Sequence, residues 1–330
     1  MNLKNSITDV RGIEVGHAQD DSALTGCTVI LSRKGAVAGV DVRGGAPGTR
    51  ETDLLNPINL VDKVHAVMLA GGSAFGLDAA SGVMRYLDEC RIGFNTGVAK
   101  VPIVPAAILF DLNVGRADVR PDLEMGYRAC LAASSKVVAE GNVGAGTGAS
   151  GGKLMGAKQA MKSGLGSASI SIGSGVIVGA LAAVNSFGDV VDPNTGEIVA
   201  GLRSAKVGPY QIGAPGYFAD TLQMMKTFLG KTVLGFATRT NTLLGVVAVN
   251  ATLTKPEMTK VAQMAQDGIA RSTRPAHTML DGDTVFALAT GGKKVDVSTV
   301  GAFAAEALAQ AIVRAVRAAH SAGGLPGAAG

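Results

Sequence analysis

The chain has 330 residues, 47% of them hydrophobic, with 46 glycines, no tryptophan and a formal net charge of +4. That length allows one large domain or two ordinary ones around a sizeable core, while scattered basic residues and scarce aromatics argue against nucleic-acid binding. Three cysteines, Cys27, Cys90 and Cys130, lack metal-ligand spacing, so three buried thiols in a reducing compartment are expected.

The first residues, Met1 to Ser6, lack the apolar core of a signal peptide. Apolar runs such as Val176–Val184 fall short of the roughly 18 residues of a membrane span. A cytoplasmic protein without membrane contact is expected. Cys27–Leu31 and Ala36–Val42 read as two early strands before the glycine turn Arg43-Gly44-Gly45-Ala46-Pro47-Gly48. Val64–Leu69 reads as a buried strand that ends at Gly71-Gly72-Ser73-Ala74-Phe75-Gly76, ahead of a helix to about Leu87. Such a turn either holds an anion on exposed backbone N–H groups or serves close packing through glycine.

Val101–Val104 and Ala106–Leu112 are short apolar runs suited to a pocket border, and Asp122–Val138 reads as a helix. The stretch Gly144 to Leu154 imitates a nucleotide phosphate loop but fails it. Three residues, not four, separate Gly148 from Gly152, and Leu154 follows Lys153 where a hydroxyl residue is needed. Lys153 is then either a solvated loop lysine or a charge offered to a buried site. Gly166–Ile172 and Val176–Val184 suggest paired strands, the second ending at Asn185. An Asn there forms a turn or presents its amide to a developing oxyanion.

From about Asp192 to Gly230 proline and glycine break every periodicity, as in an insertion or exposed linker. Two β-rich runs, Val233–Thr238 and Leu243–Val249, then meet at Asn241-Thr242. Lys255–Arg271 is a helix opened by Thr254-Lys255-Pro256-Glu257. Val285–Ala289 is a strand, Val297–His320 an amphipathic helix, and Ser321–Gly330 a fraying tail. Asp281 and Asp283 flank Gly282, so in extended backbone their side chains share a face. In a poorly solvated site one of them tends to keep its proton; on the surface the same motif is a turn or a weak cation site.

Together the motifs resemble the L-aminopeptidase/D-esterase family of self-processing hydrolases, which includes β-peptidyl aminopeptidases and nylon-oligomer (6-aminohexanoate-oligomer) endohydrolases. The matching residues run from Val15-Gly16-His17 and Asp41-Val42-Arg43-Gly44-Gly45 through Leu69-Ala70-Gly71-Gly72-Ser73-Ala74-Phe75-Gly76-Leu77. They continue to Asn241-Thr242 and His277-Thr278-Met279-Leu280-Asp281-Gly282-Asp283-Thr284. The resemblance implies a single α+β domain, a four-layer αββα sandwich similar to the N-terminal-nucleophile hydrolases but differently connected. It also implies self-cleavage between Asn241 and Thr242 into a large subunit, 1–241, and a small subunit, 242–330, which remain partners.

On that resemblance Thr242 is the nucleophile, Asn185 the oxyanion-hole amide, Lys153 a charge balance, and Asp281 and Asp283 orient the Thr242 amine and hydroxyl. No cofactor and no metal are implied. A threonine hydroxyl needs a base beside it, and the freed α-amino group, with a reference pKa of about 7.7–8.0, can serve where a peptide nitrogen cannot. The Thr nucleophile with Asp-Gly-Asp is closest to the nylon-oligomer branch, with oligoamides or short peptides as substrates. Alternatives are an aminopeptidase that requires a free substrate amine, an acyltransferase like the ornithine acetyltransferases, and an idle, assembly-forming relative. A homotetramer is the family's common assembly. One position departs from the pattern. Phe110, in Leu109-Phe110-Asp111, lines the pocket where the family has Tyr, and no catalytic role passes to it. His17, His65, His277 and His320 are too dispersed for a metal site and read as packing or surface residues.

Overall fold

In the computed structural model, which describes residues 3–207, 209–213, 216–234 and 241–330, apolar β-branched runs form the long strands and alanine-rich amphipathic segments the long helices. In chain order the main elements are β1 (Glu14–Asp20), β2 (Thr25–Val42), β3 (Lys63–Ala70), α1 (Ala79–Glu89), β4 (Ala106–Ile108) and α2 (Leu123–Leu131). Then follow β5 (Leu165–Ser171), β6 (Ile177–Asn185), β7 (Thr242–Ala251), α3 (Lys255–Ser272), β8 (Thr284–Lys293) and α4 (Val297–Arg317).

Among the described residues, nine strands share one hydrogen-bonded path in the order β5-β6-β7-β8-β2-β3-β4, with Thr49–Arg50 at the edge and β1 on β2. The long strand β2 makes the path continuous. Its second half pairs with β8 and its first half with β3 and β1, and its register against β3 breaks between Leu31 and Ala36. The two early runs of the sequence are therefore one strand that serves two layers.

Side-chain alternation with period two sorts the core into layers. On β7, Leu243, Val247 and Val249 face a cluster with Val261 and Ile269 of α3 and Leu308 and Ile312 of α4. The intervening Leu244, Val246 and Ala248 meet Ile30, Val67 and Leu69 of β2 and β3. On their other side, Val29, Leu31 and Met68 pack on Val83 and Leu87 of α1 and on Met125 and Ala129 of α2. The layers are α3/α4, sheet, sheet, α1/α2, the αββα sandwich expected. Parallel pairing of β7 with β8 requires a crossover, and α3 supplies it.

Several boundaries differ from expectation. The helix foreseen to Val138 ends at Leu131, because Ser134 turns back to exchange two 3.0 Å backbone hydrogen bonds with Val15 of β1. Val233 and Leu234, expected in a strand, close the helix Phe228–Leu234, and the rest of that expected strand, 235–238, lies outside the described residues.

The stretch after Asp192 is more than an exposed linker. Its Leu202, Ala219 and Met224 are buried against Leu154 and Phe187. The buried Asp189 carboxylate accepts from Leu202 N–H at 2.7 Å and from Thr221 N–H at 2.6 Å and Oγ1 at 2.7 Å. The C-terminal tail is tied down rather than frayed: Pro326 O accepts from Lys162 N–H at 2.9 Å, and Leu325 is buried. Cys27 and Cys130 are buried as expected, but Cys90 is exposed. Among the described residues one helix, Val297–Arg317, is long and apolar enough to cross a membrane; its apolar face lies on the sheet.

Candidate active site

Sheet register brings distant residues to one end of the central strands. Thr242 opens β7 directly opposite Asn185, the last residue of β6. On the other side of β7, Leu244 pairs with Thr284 of β8, so Asp283 enters beside Thr242, and Asn241 bridges to Asp281. All five of Asn185, Asn241, Thr242, Asp281 and Asp283 are buried, at 0 to 4% exposure. That depth removes the surface-turn reading of the Asp-Gly-Asp motif.

The Thr242 hydroxyl donates to the carbonyl oxygen of Asn241, the residue before it. The same oxygen accepts from Gly282 N–H at 2.9 Å. Glycine is required at 282, since a Cβ there would lie 2.8 Å from Thr242 Oγ1 and 2.7 Å from Ala46 O. The turn after β2 holds this loop in place: Arg43 N–H donates to Asp283 O at 3.0 Å, Gly45 N–H to Thr278 O at 3.1 Å and Ala46 N–H to Asp281 O at 2.8 Å. The Arg43-Gly44-Gly45 motif thus acts as a backbone splint for the acidic loop.

Each carboxylate oxygen of the pair already has a donor. Asp281 Oδ1 accepts from Phe187 N–H at 3.2 Å, and Oδ2 from Thr278 N–H at 3.2 Å and Oγ1 at 2.5 Å. Asp283 Oδ1 accepts from Leu243 N–H at 2.8 Å, and Oδ2 lies 3.0 Å from His277 N and 2.9 Å from its Nδ1. His277 was read from sequence as a packing or surface residue; instead it grips one of the two acids. Its Nδ1 faces the carboxylate, which favours the tautomer with hydrogen on that nitrogen. No spacing in the sequence signals this contact, because His277 and Asp283 meet only when the loop closes on itself.

Lys153 is a buried charge. Its Nζ donates to Asn185 Oδ1 at 2.7 Å and to Asn185 O at 3.1 Å. Burial brings the Lys153 ammonium down to about 7 despite the opposing pull of Asp281 and Asp111, so desolvation outweighs attraction. Ser150 N–H also reaches Asn185 Oδ1, at 3.1 Å, and the Asn185 amide donates from Nδ2 to Phe110 O at 2.9 Å. The plane of this amide is therefore fixed from both ends, and Phe110 enters the site through its backbone. A cavity of about 420 Å³ lined by Phe218, Asp220 and Met224 shares Ala219 and Met224 with the cluster that contains Leu154 and Phe187.

The glycine turn after β3 holds an anion that belongs to the protein. Gly72 N–H donates to Asp111 Oδ1 at 2.7 Å, and a Cβ on Gly71 would fall 2.0 Å from Asp111 Oδ2. Close packing and anion binding, posed as alternatives, coincide here.

Burial first and the Asp283 charge second raise the Asp281 carboxyl to about 6. A neighbouring anion disfavours a second negative charge, so removing it lowers the pKa. Asp283→Asn is expected to move the Asp281 midpoint below 6, followed by carboxyl-carbon NMR during a pH titration. A midpoint that stays or rises contradicts this coupling.

Comparison with known proteins finds one family for the chain. The model of peptidase family S58 matches residues 5–329. The chain is 47% identical to an uncharacterized aminopeptidase of Mycobacterium tuberculosis, over 98% of this chain and 96% of that one. It is 30% identical to the 6-aminohexanoate-oligomer endohydrolase of Kocuria sp. (strain KY2), over 94% and 85%. Two solved structures share the fold. They are a Burkholderia sp. beta-aminopeptidase, TM-score 0.70 at 23% identity over 99% and 91% of the chains, and the L-aminopeptidase D-Ala-esterase/amidase of Ochrobactrum anthropi, TM-score 0.67 at 18% over 96% and 86%. The latter is described as a new variant among the Ntn hydrolase fold.

Proposed function

The chain belongs to peptidase family S58, and from that membership we propose that this amide-bond hydrolase activates itself by cutting Asn241–Thr242 and then works through Thr242 as an N-terminal nucleophile. One observation carries the reading: the Thr242 hydroxyl sits on the carbonyl of its own preceding peptide, and that carbonyl is already held by Gly282 N–H. Attack of Oγ1 on the Asn241 carbonyl carbon forms an ester and breaks the peptide C–N bond, and the Thr242 nitrogen leaves as an amine with the hydroxyl proton. During attack, charge develops on the oxygen that Gly282 N–H contacts. Water then opens the ester, releasing the Asn241 carboxylate and restoring the hydroxyl. The products are 1–241 and 242–330.

In turnover the new amine takes the hydroxyl proton, Oγ1 attacks the substrate amide, and the Asn185 amide stabilises the oxyanion. The leaving amine collects the proton, and water hydrolyses the acyl-enzyme. Asp283 holds the start of β7 through Leu243 N–H, Asp281 holds Phe187 and Thr278 beside it, and Lys153 balances their charge. The burial of Lys153 beside Asn185 supports that role.

The occupation of the acids supports one substrate class over the other. A carboxylate is a natural partner for a free substrate amine, and all four oxygens of Asp281 and Asp283 already accept at least one hydrogen bond from the protein, which leaves less acceptor capacity for such an amine. This favours cutting within linear oligoamides or short peptides. The name of the 47% identical relative favours a second reading, an aminopeptidase. Matched 6-aminohexanoate oligomers with free and acetylated amino ends separate the two. Comparable kcat/KM for both is expected, whereas hydrolysis of the free oligomer alone assigns the aminopeptidase activity.

A further inference from the structure

Beyond the groups given a chemical role, one buried cation lies close behind the site. Lys162 stands directly across from Ser150 in a short two-stranded ladder, and none of its surface reaches solvent. Its Nζ donates to Gly146 O at 3.0 Å, to Ala149 O at 2.9 Å and to Ser163 O. Burying an ammonium is costly unless acceptors and an opposite charge replace its hydration. The carbonyls supply the acceptors, and the nearby Asp111 carboxyl, itself raised by burial, favours the charged lysine. Asp111 is 2% exposed and accepts from Gly72 N–H at 2.7 Å and from Thr25 Oγ1 at 2.8 Å. A Cβ on Gly148 would lie 2.6 Å from Asp111 Cβ, so this acid rests against the middle of the loop that Lys162 holds. Burial pulls the Lys162 ammonium down to about 7, and Asp111 opposes that shift.

Both partners end next to the same amide. Ser150, cross-strand from Lys162, donates to Asn185 Oδ1; Phe110, adjacent to Asp111, accepts from Asn185 Nδ2. We propose that Lys162 and Asp111 are positioning residues that clamp the Asn185 side chain, Lys162 by fixing the 146–150 loop at Oδ1 and Asp111 by fixing the Phe110 carbonyl at Nδ2. The inference rests on the oxyanion role of Asn185 proposed above.

A double-mutant cycle tests it. Lys162→Met keeps side-chain length and removes the charge. Measured per processed chain, it lowers kcat by roughly 10- to 100-fold, part of what losing an oxyanion donor costs, with KM unchanged. In an Asn185→Ala background the same substitution changes kcat no further, because no amide is left to aim. Asp111→Asn removes the opposite charge with little change of shape, and it repeats the cycle if Lys162→Met does not fold. An effect of equal size with and without Asn185, or no effect, overturns the positioning role and leaves the role of Asn185 standing. Wild-type kcat in Asn185→Ala itself overturns the oxyanion role, and the clamp with it.

Discussion

Thr242→Ala is expected to give a folded, uncut chain with turnover lost by about 10⁴-fold or more, the scale seen when an enzyme's nucleophile is removed. The substitution takes away two things at once. On the proposed mechanism nothing then attacks the Asn241 carbonyl, so the α-amine proposed as base is never released. Loss of the nucleophile then removes the covalent step itself. Stability changes little by comparison, because Thr242 is already the first residue of β7 and its neighbours Leu243 to Val249 supply the buried surface. Thr242→Ser restores a hydroxyl at the same place and is expected to recover both cleavage and turnover. Intact-mass analysis together with an amidase assay reads the two effects. Substantial turnover by uncut Thr242→Ala contradicts the assignment.

Asn185→Ala is the second large effect. Losing one preorganised oxyanion donor typically costs about 10²–10³ in kcat, and the loss is expected in kcat rather than KM because the charge it meets exists only in the transition state. Asn185 is wholly buried at the end of β6 and bonded through Oδ1 to Ser150 and Lys153 and through Nδ2 to Phe110. Truncation also leaves Lys153 with one acceptor fewer, so thermal unfolding of the variant shows how much of the loss is local collapse. A fall in kcat with a near wild-type melting temperature supports the oxyanion role, and an unchanged kcat rejects it.

The sequence revealed some parts of this site and hid others for identifiable reasons. Asn241-Thr242 and the Asp-Gly-Asp loop stood out through the resemblance, and the apolar runs that follow them, Leu243–Val249 and Val285–Ala289, became β7 and β8. Asn185 was legible as a strand end. His277 was hidden because its partner, Asp283, is reached only when the loop is splinted by Arg43 to Ala46. The 192–230 stretch read as a linker because proline and glycine erase periodicity. Its anchor, the Asp189 carboxylate, gathers donors from Leu202 and Thr221, and no local pattern encodes that contact. Lys162 left no trace either. A lysine after Met161 in a glycine-rich region reads as solvated, and only the register opposite Ser150 buries it.

The four-layer order was available from the resemblance rather than from periodicity. Alternation along β7 shows that both of its faces are buried, but not which layer covers each. That is fixed by β2, whose halves serve different layers.

Intact-mass measurement and N-terminal sequencing of the purified active protein test the central claim most directly. The account predicts two chains whose masses sum to the full sequence plus one water, the smaller beginning at Thr242. An active protein that remains one unbroken chain, or that is cut at another bond, contradicts it.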